Sequence, residues 1–134
     1  MAGGAGSTGR VILACEMIED EVRLALSSLP SAAQPPVIWV ESGLHDRPQR
    51  LRAVLQERLD SLDEGAAQGL PVSVLSVRPG RGPAAERREM VTVGPVEEVL
   101  LALGFCGKAL QGLRAQHLRL VFPRVDDCIS LLLN

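Results

Sequence analysis

Short, wholly apolar runs are the feature that most limits what this chain can fold into. Arg10-Val-Ile-Leu-Ala-Cys15, Val37-Ile-Trp-Val40 and Val99-Leu-Leu-Ala-Leu103 are such runs, apolar throughout apart from the leading Arg10. Each is long enough for a buried strand, and each is far short of the roughly 20 residues a helix needs to cross a bilayer. Helical patterns lie between them. Ile18, Val22, Ala25, Leu26 and Leu29 recur at helical spacing behind the acidic first turn of Glu19, Asp20 and Glu21, where the helix dipole favours negative charge. Leu51, Val54, Leu55, Leu59 and Leu62 form a second stripe. Strands alternating with helices imply right-handed crossovers and a parallel sheet. The expected class is therefore α/β: a three-layer, mostly parallel open sheet of Rossmann-like kind.

Local signals fill in the remaining elements. Asp46 with Gln49 fits a capping box for the second helix, and Gly65 is a candidate for its end. Val72 to Val77 alternates apolar residues with serine and reads as a half-buried strand, whereas Arg78 to Glu89, rich in Gly, Pro and charge, reads as a loop. The 99–103 run reads as a strand in preference to a helix starting at Pro95, because Gly104 follows so soon. A short helix over Ala109 to Gln116, a strand over Leu118 to Phe122 ended by Pro123, and a last helix from Cys128 to Leu133 complete the expectation. Residues 1–9, small and Gly-rich, read as a flexible leader without the charged and apolar regions of a signal peptide. Residues 10–134 read as a single domain.

Composition narrows the function classes. A chain of 134 residues with 46% apolar residues can bury one ordinary core. Aromatics are only 2% (Trp39, Phe105 and Phe122), which leaves few rings for stacking bases, and a formal net charge of -2 gives no polyanion footprint. Neither nucleic acid nor membrane is expected as a partner. Three cysteines, an odd number, argue against a disulfide framework and fit a reducing, cytoplasmic setting.

The cysteines carry the candidate chemistry. Cys15, the 41–47 loop, Cys106 and Cys128 all fall past the end of an expected strand, and open α/β sheets bind ligands outside the carboxyl ends of their strands. Three thiolates suit a soft metal, so an iron–sulfur cluster or zinc is the expected cofactor, although no CxxC of a zinc ribbon is present. Cys106 and Cys128 also precede helical stretches, where free N–H groups lower a thiol's pKa. The alternative is that all three are small apolar core residues. His45 is a candidate fourth ligand or general acid/base, against a plain loop residue beside a cap. Asp127 is a candidate carboxylate ligand, against a helix cap shared with Asp126. Arg47 is placed to hold an anionic ligand at a helix start, against a solvated arginine. Glu16 reads as a base or a first-turn acid, and His117 as a surface residue. Arg78, Arg81, Arg87 and Arg88 make one segment basic, but neither the P-loop ending nor GxGxxG is present, nor the Gly-x-Ser-x-Gly elbow of a hydrolase.

Four stretches resemble the domain-of-unknown-function family 1638 of bacteria and methane-producing archaea: Val11-Ile-Leu-Ala-Cys15, Glu41-Ser-Gly-Leu-His-Asp-Arg-Pro48, Leu103-Gly-Phe-Cys-Gly107 and Pro123-Arg-Val-Asp-Asp-Cys-Ile-Ser-Leu-Leu-Leu133. The resemblance implies the layout of three cysteines. It also implies an accessory role in one-carbon metabolism, since some members sit beside corrinoid methyltransferase systems. Two departures stand out: residues from about 65 to 94 look inserted, and the chain stops at Asn134, where similar proteins continue. The sheet is accordingly expected to be incomplete at its C-terminal side. With the terminal Leu131-Leu-Leu133, that points to self-association or a protein partner.

Three readings stay open. One is a metal- or cluster-binding accessory protein using Cys15, Cys106 and Cys128, with His45 or Asp127 in the fourth position. Another is a non-catalytic small-ligand or protein-binding domain with structural cysteines. The third is a transferase with Cys106 as nucleophile and His45 as base.

Overall fold

A computed structural model describes residues 9–14, 19–30, 34–41, 47–78, 87–102 and 112–121. The elements run β1 (Arg10–Ala14), α1 (Glu19–Ser27), β2 (Val37–Trp39), α2 (Pro48–Gln68), β3 (Val72–Arg78), β4 (Arg87–Val93), β5 (Glu98–Ala102) and β6 (Arg119–Val121). Four strands form a parallel sheet in the order β2-β1-β5-β6, and β3 and β4 form a separate antiparallel pair. The α/β class with a mostly parallel sheet is thus the observed one.

The apolar runs explain the layering. Side chains alternate across a strand, so a run with no polar residue must be buried on both faces. Val11, Leu13, Ile38, Val99 and Leu101 pack on one face with Leu51, Leu55, Leu59 and Leu62 of α2. Ile12, Ala14, Trp39, Leu100 and Ala102 pack on the other with Val22 and Leu26 of α1. Arg23 of α1 lies over the Trp39 ring, 5.4 Å from its centroid. One helix on each face makes three layers. The choice of strand for the 99–103 run holds over Glu98–Ala102, because β5 has a partner on each side.

Four local expectations need correction. The 78–89 loop is shorter than its composition suggests, since Arg87–Val93 is a strand in full register with β3, from Val72↔Val93 to Arg78↔Arg87. Its leading Arg-Arg-Glu conceals the β signal, which Val91, Thr92 and Val93 carry. Val74 and Val93, with Val72 and Val91 partly buried, place this hairpin in the core on the α2 face.

Helix α2 also runs through Gly65 to Gln68. Gly65 packs so closely on the chain that follows that a Cβ there would lie 3.0 Å from the Leu70 carbonyl and from the Val72 side chain. The helix stops instead at Gly69, in the left-handed region at φ 67, with Gly69 N–H donating to Ala66 O and Leu70 N–H to Gly65 O. These paired bonds are a Schellman motif. At the other end the N-cap is Arg47, which makes no side-chain cap bond, rather than the Asp46 of a capping box. Pro48, with its fixed φ, opens the helix instead.

The fourth correction concerns the helix expected over Ala109 to Gln116: residues 109–111 lie outside the described residues, and 112–116 are not helical. The backbone of 114–117 is held by α2 side chains. Gln56 accepts from Arg114 N–H at 3.1 Å and donates to Arg114 O at 2.9 Å. The Asp63 carboxylate accepts from Gln116 N–H at 3.1 Å and His117 N–H at 2.6 Å. Satisfying those groups from outside removes the need for helix. Asp63→Ala should lower the unfolding free energy by about 1 kcal/mol, the net worth of such bonds, and Gln56→Ala by a similar amount. Urea denaturation measures both, and midpoints unchanged from the parent would refute this anchoring.

Candidate ligand site at the carboxyl edge of the sheet

All four sheet strands run parallel, so their carboxyl ends share one edge. The register brings three exits together. Ala14, the last residue of β1, pairs with Trp39 on one side and Ala102 on the other. Val40 N–H donates to Ala14 O at 2.9 Å, continuing the ladder past β2. The chain leaves β1 toward β2 over the α1 face. It leaves β5 toward β6 through residues 112–118, which lie against α2 on the opposite face. The neighbours β1 and β5 therefore send their connections to opposite sides, and such a switch point, outside the carboxyl ends of the strands, is where open α/β sheets take ligands.

The opposite edge is closed by charge. Glu98 pairs with Arg10 and Arg119 in register, and its carboxylate meets Arg10 Nε at 2.8 Å and Arg119 Nε at 3.8 Å. This cross-strand triad lies at the amino ends of β1, β5 and β6, away from the carboxyl edge. A groove of about 210 Å³ between the last turns of α2 and the start of β3, lined by residues such as Ser61, Glu64, Gln68 and Pro71, is likewise at the far end of α2.

Cys15, Glu16, His45, Cys106, Asp126, Asp127 and Cys128 lie outside the described residues. Sequence connectivity still ties some of them to the edge: Cys15 directly follows Ala14, and Cys106 is four residues past Ala102. Arg47 is described. It is exposed at the first turn of α2, which begins at this same edge after β2. His117 is exposed, as expected for a surface residue. Among the described residues, no group of three His, Cys, Asp or Glu side chains is arranged to hold a metal ion. No described helix is long and apolar enough to cross a membrane.

The sequence reading missed a charged centre beside the β2 exit. Arg58, only 3% exposed, donates from Nε to Leu75 O at 2.9 Å and meets Glu57 at 3.0 Å. It also pairs with Glu41, two residues beyond β2. One guanidinium thus joins α2, the hairpin and the start of the 41–47 segment. Ser76, also buried, accepts from Trp39 N–H at 3.0 Å, so the hairpin caps the outer edge of β2 as well. Among the described residues no buried side-chain nitrogen or oxygen lacks a partner. The available signal was an arginine inside the Leu55-Leu59-Leu62 stripe, where only a paired charge is tolerated.

Residues 85–134 match the family described as protein of unknown function, DUF1638. This is the family the four stretches resemble. The DUF1638 match spans β4, β5, β6 and the two stretches around Cys106 and Cys128, while those around Cys15 and Glu41 precede it. No curated protein and no solved structure matches the chain.

Arg58→Ala should cost about 3 kcal/mol, because it strands Glu41 and a buried carbonyl. Adding Glu41→Ala should recover part of that loss. A thermodynamic cycle from denaturant melts reads this coupling, and strictly additive effects would mean that the pair is not a unit.

Proposed function

We propose that this chain is a cytoplasmic accessory protein that holds a soft metal ion or an iron–sulfur cluster at the carboxyl edge of its parallel sheet. Cys15, Cys106 and Cys128 are the thiolate ligands in this reading, with His45 or Asp127 in the fourth position and Arg47 available to an anionic group at the start of α2. The observation that carries it is the Ala14↔Ala102 register at the point where the crossovers diverge. It starts the Cys15 and Cys106 segments from neighbouring strands, whose spacing is about 4.8 Å. Thiolates with an imidazole or a carboxylate form a donor set chemically suited to zinc or to iron–sulfur ligation. The metal would supply Lewis acidity or electron transfer, and the protein's part is to fix the donors and exclude water. The resemblance to a family with members beside corrinoid methyltransferase systems supports a role in one-carbon metabolism.

Protein purified without oxygen should contain zinc or iron at about one site per chain, with a sulfur-to-iron absorbance if a cluster is present. Serine at all three cysteine positions should abolish the metal and lower the melting temperature of the loaded protein. Metal content and stability that survive the triple substitution would reduce the cysteines to packing residues.

A further inference from the structure

Among the described residues two polar side chains are buried, Arg58 and Ser76. Both join the β3–β4 hairpin to β2. Ser76 Oγ accepts from Trp39 N–H at 3.0 Å. Arg58 donates to Leu75 O at 2.9 Å and pairs with Glu41, just beyond β2. The two contacts therefore fall on consecutive residues of β3. No backbone ladder runs between β2 and β3, which belong to separate sheets. Two side chains hold the hairpin against an edge where a neighbouring strand would be held by a row of backbone bonds.

That edge needs a cover. Val37–Trp39 carries none of the charges that keep an open strand edge from pairing with other strands. The cover is also built to move. Gly69 before β3, at φ 67, and Gly94 after β4, at φ 110, bracket the hairpin with backbone that favours glycine. Aliphatic side chains in the places of Arg58 and Ser76 could fix the hairpin at least as firmly, since a buried ion pair adds little net stability. The polar pair instead gives a contact that exists in one seating and is lost when the hairpin shifts.

We propose that the β3–β4 hairpin is a releasable cover of the β2 edge, closed by Ser76 and Arg58. Closed, it occupies the Trp39 N–H that another strand would otherwise bond. Open, it bares that edge together with Val74 and Val93, which are buried in the closed form, and the chain self-associates through them. This inference does not depend on the cysteines.

Native-state hydrogen exchange on the full chain tests the release. In the parent protein, the Trp39 amide and the amides of the β3–β4 ladder should exchange together, about tenfold or more faster than the amides of β1. Ser76→Ala leaves the Trp39 N–H without its acceptor. It should speed Trp39 exchange about tenfold further and raise the self-association constant, read by sedimentation equilibrium, by a similar factor. Val22→Ala, in the core on the opposite face of the sheet, is the control: it weakens the fold without touching the cover and should leave self-association at the parent's level. Trp39 and hairpin amides that exchange no faster than those of β1 in the parent would overturn the proposal. So would a Ser76→Ala protein that associates no more strongly than Val22→Ala.

Discussion

Strand β1 is the constraint on which the rest depends. It bonds to β2 on one edge and β5 on the other, and its side chains join the core on both faces of the sheet. Strand β5 is likewise paired on both edges and buried on both faces, but β2 reaches the sheet through β1. Val11 to Ala14 are almost fully buried. Such a strand tolerates neither a register slip nor a polar substitution, because both faces are core and both edges are ladder. The positions of the β2 and β5 exits follow from that fixed register.

The hairpin and the buried arginine solve a secondary problem. An edge strand as short as β2 leaves backbone groups open and a helix poorly anchored beside it. Ser76 takes the Trp39 N–H, and Arg58 ties Leu75 and Glu41 to α2. A guanidinium buried this deeply is stabilising only while all its partners stay in place. It acts as a geometric pin between three elements rather than as a source of net energy. The segment it pins, beginning at Glu41, is the one that leads to His45 and Arg47.

How much was legible in the sequence follows from where the energy lies. The strands β1, β2 and β5 and the stripe of α2 were readable because burial writes itself into consecutive or periodic apolar residues. The shared carboxyl edge followed from topology alone. Strand β4 was not readable, since its first half is exposed on both faces and charged, and its order comes from pairing with β3 rather than from its own composition. The 112–118 segment failed for a related reason: Gln56 and Asp63, some fifty residues earlier in the chain, hold its backbone. Gly65 signalled a helix end but marks a close approach to Val72. Of the candidate site, the carboxyl edge shared by β1 and β5 was legible, while the proposed donors Cys15, His45, Cys106, Asp127 and Cys128 lie outside the described residues. The Arg58–Glu41 pair beside that edge is a tertiary contact with only a misplaced arginine to announce it.

The central claim is that the segments leaving β1 and β5 supply ligands to one ion. Cobalt(II) titration of the reduced protein tests it most directly, because thiolate ligation gives an intense charge-transfer band that counts sulfur donors. The account predicts a saturable band at one cobalt per chain, diminished by Cys15→Ser and by Cys106→Ser, diminished further in the double variant and lost when Cys128→Ser is added. A band that either single substitution leaves at full intensity, or no band at all in folded protein, would contradict it.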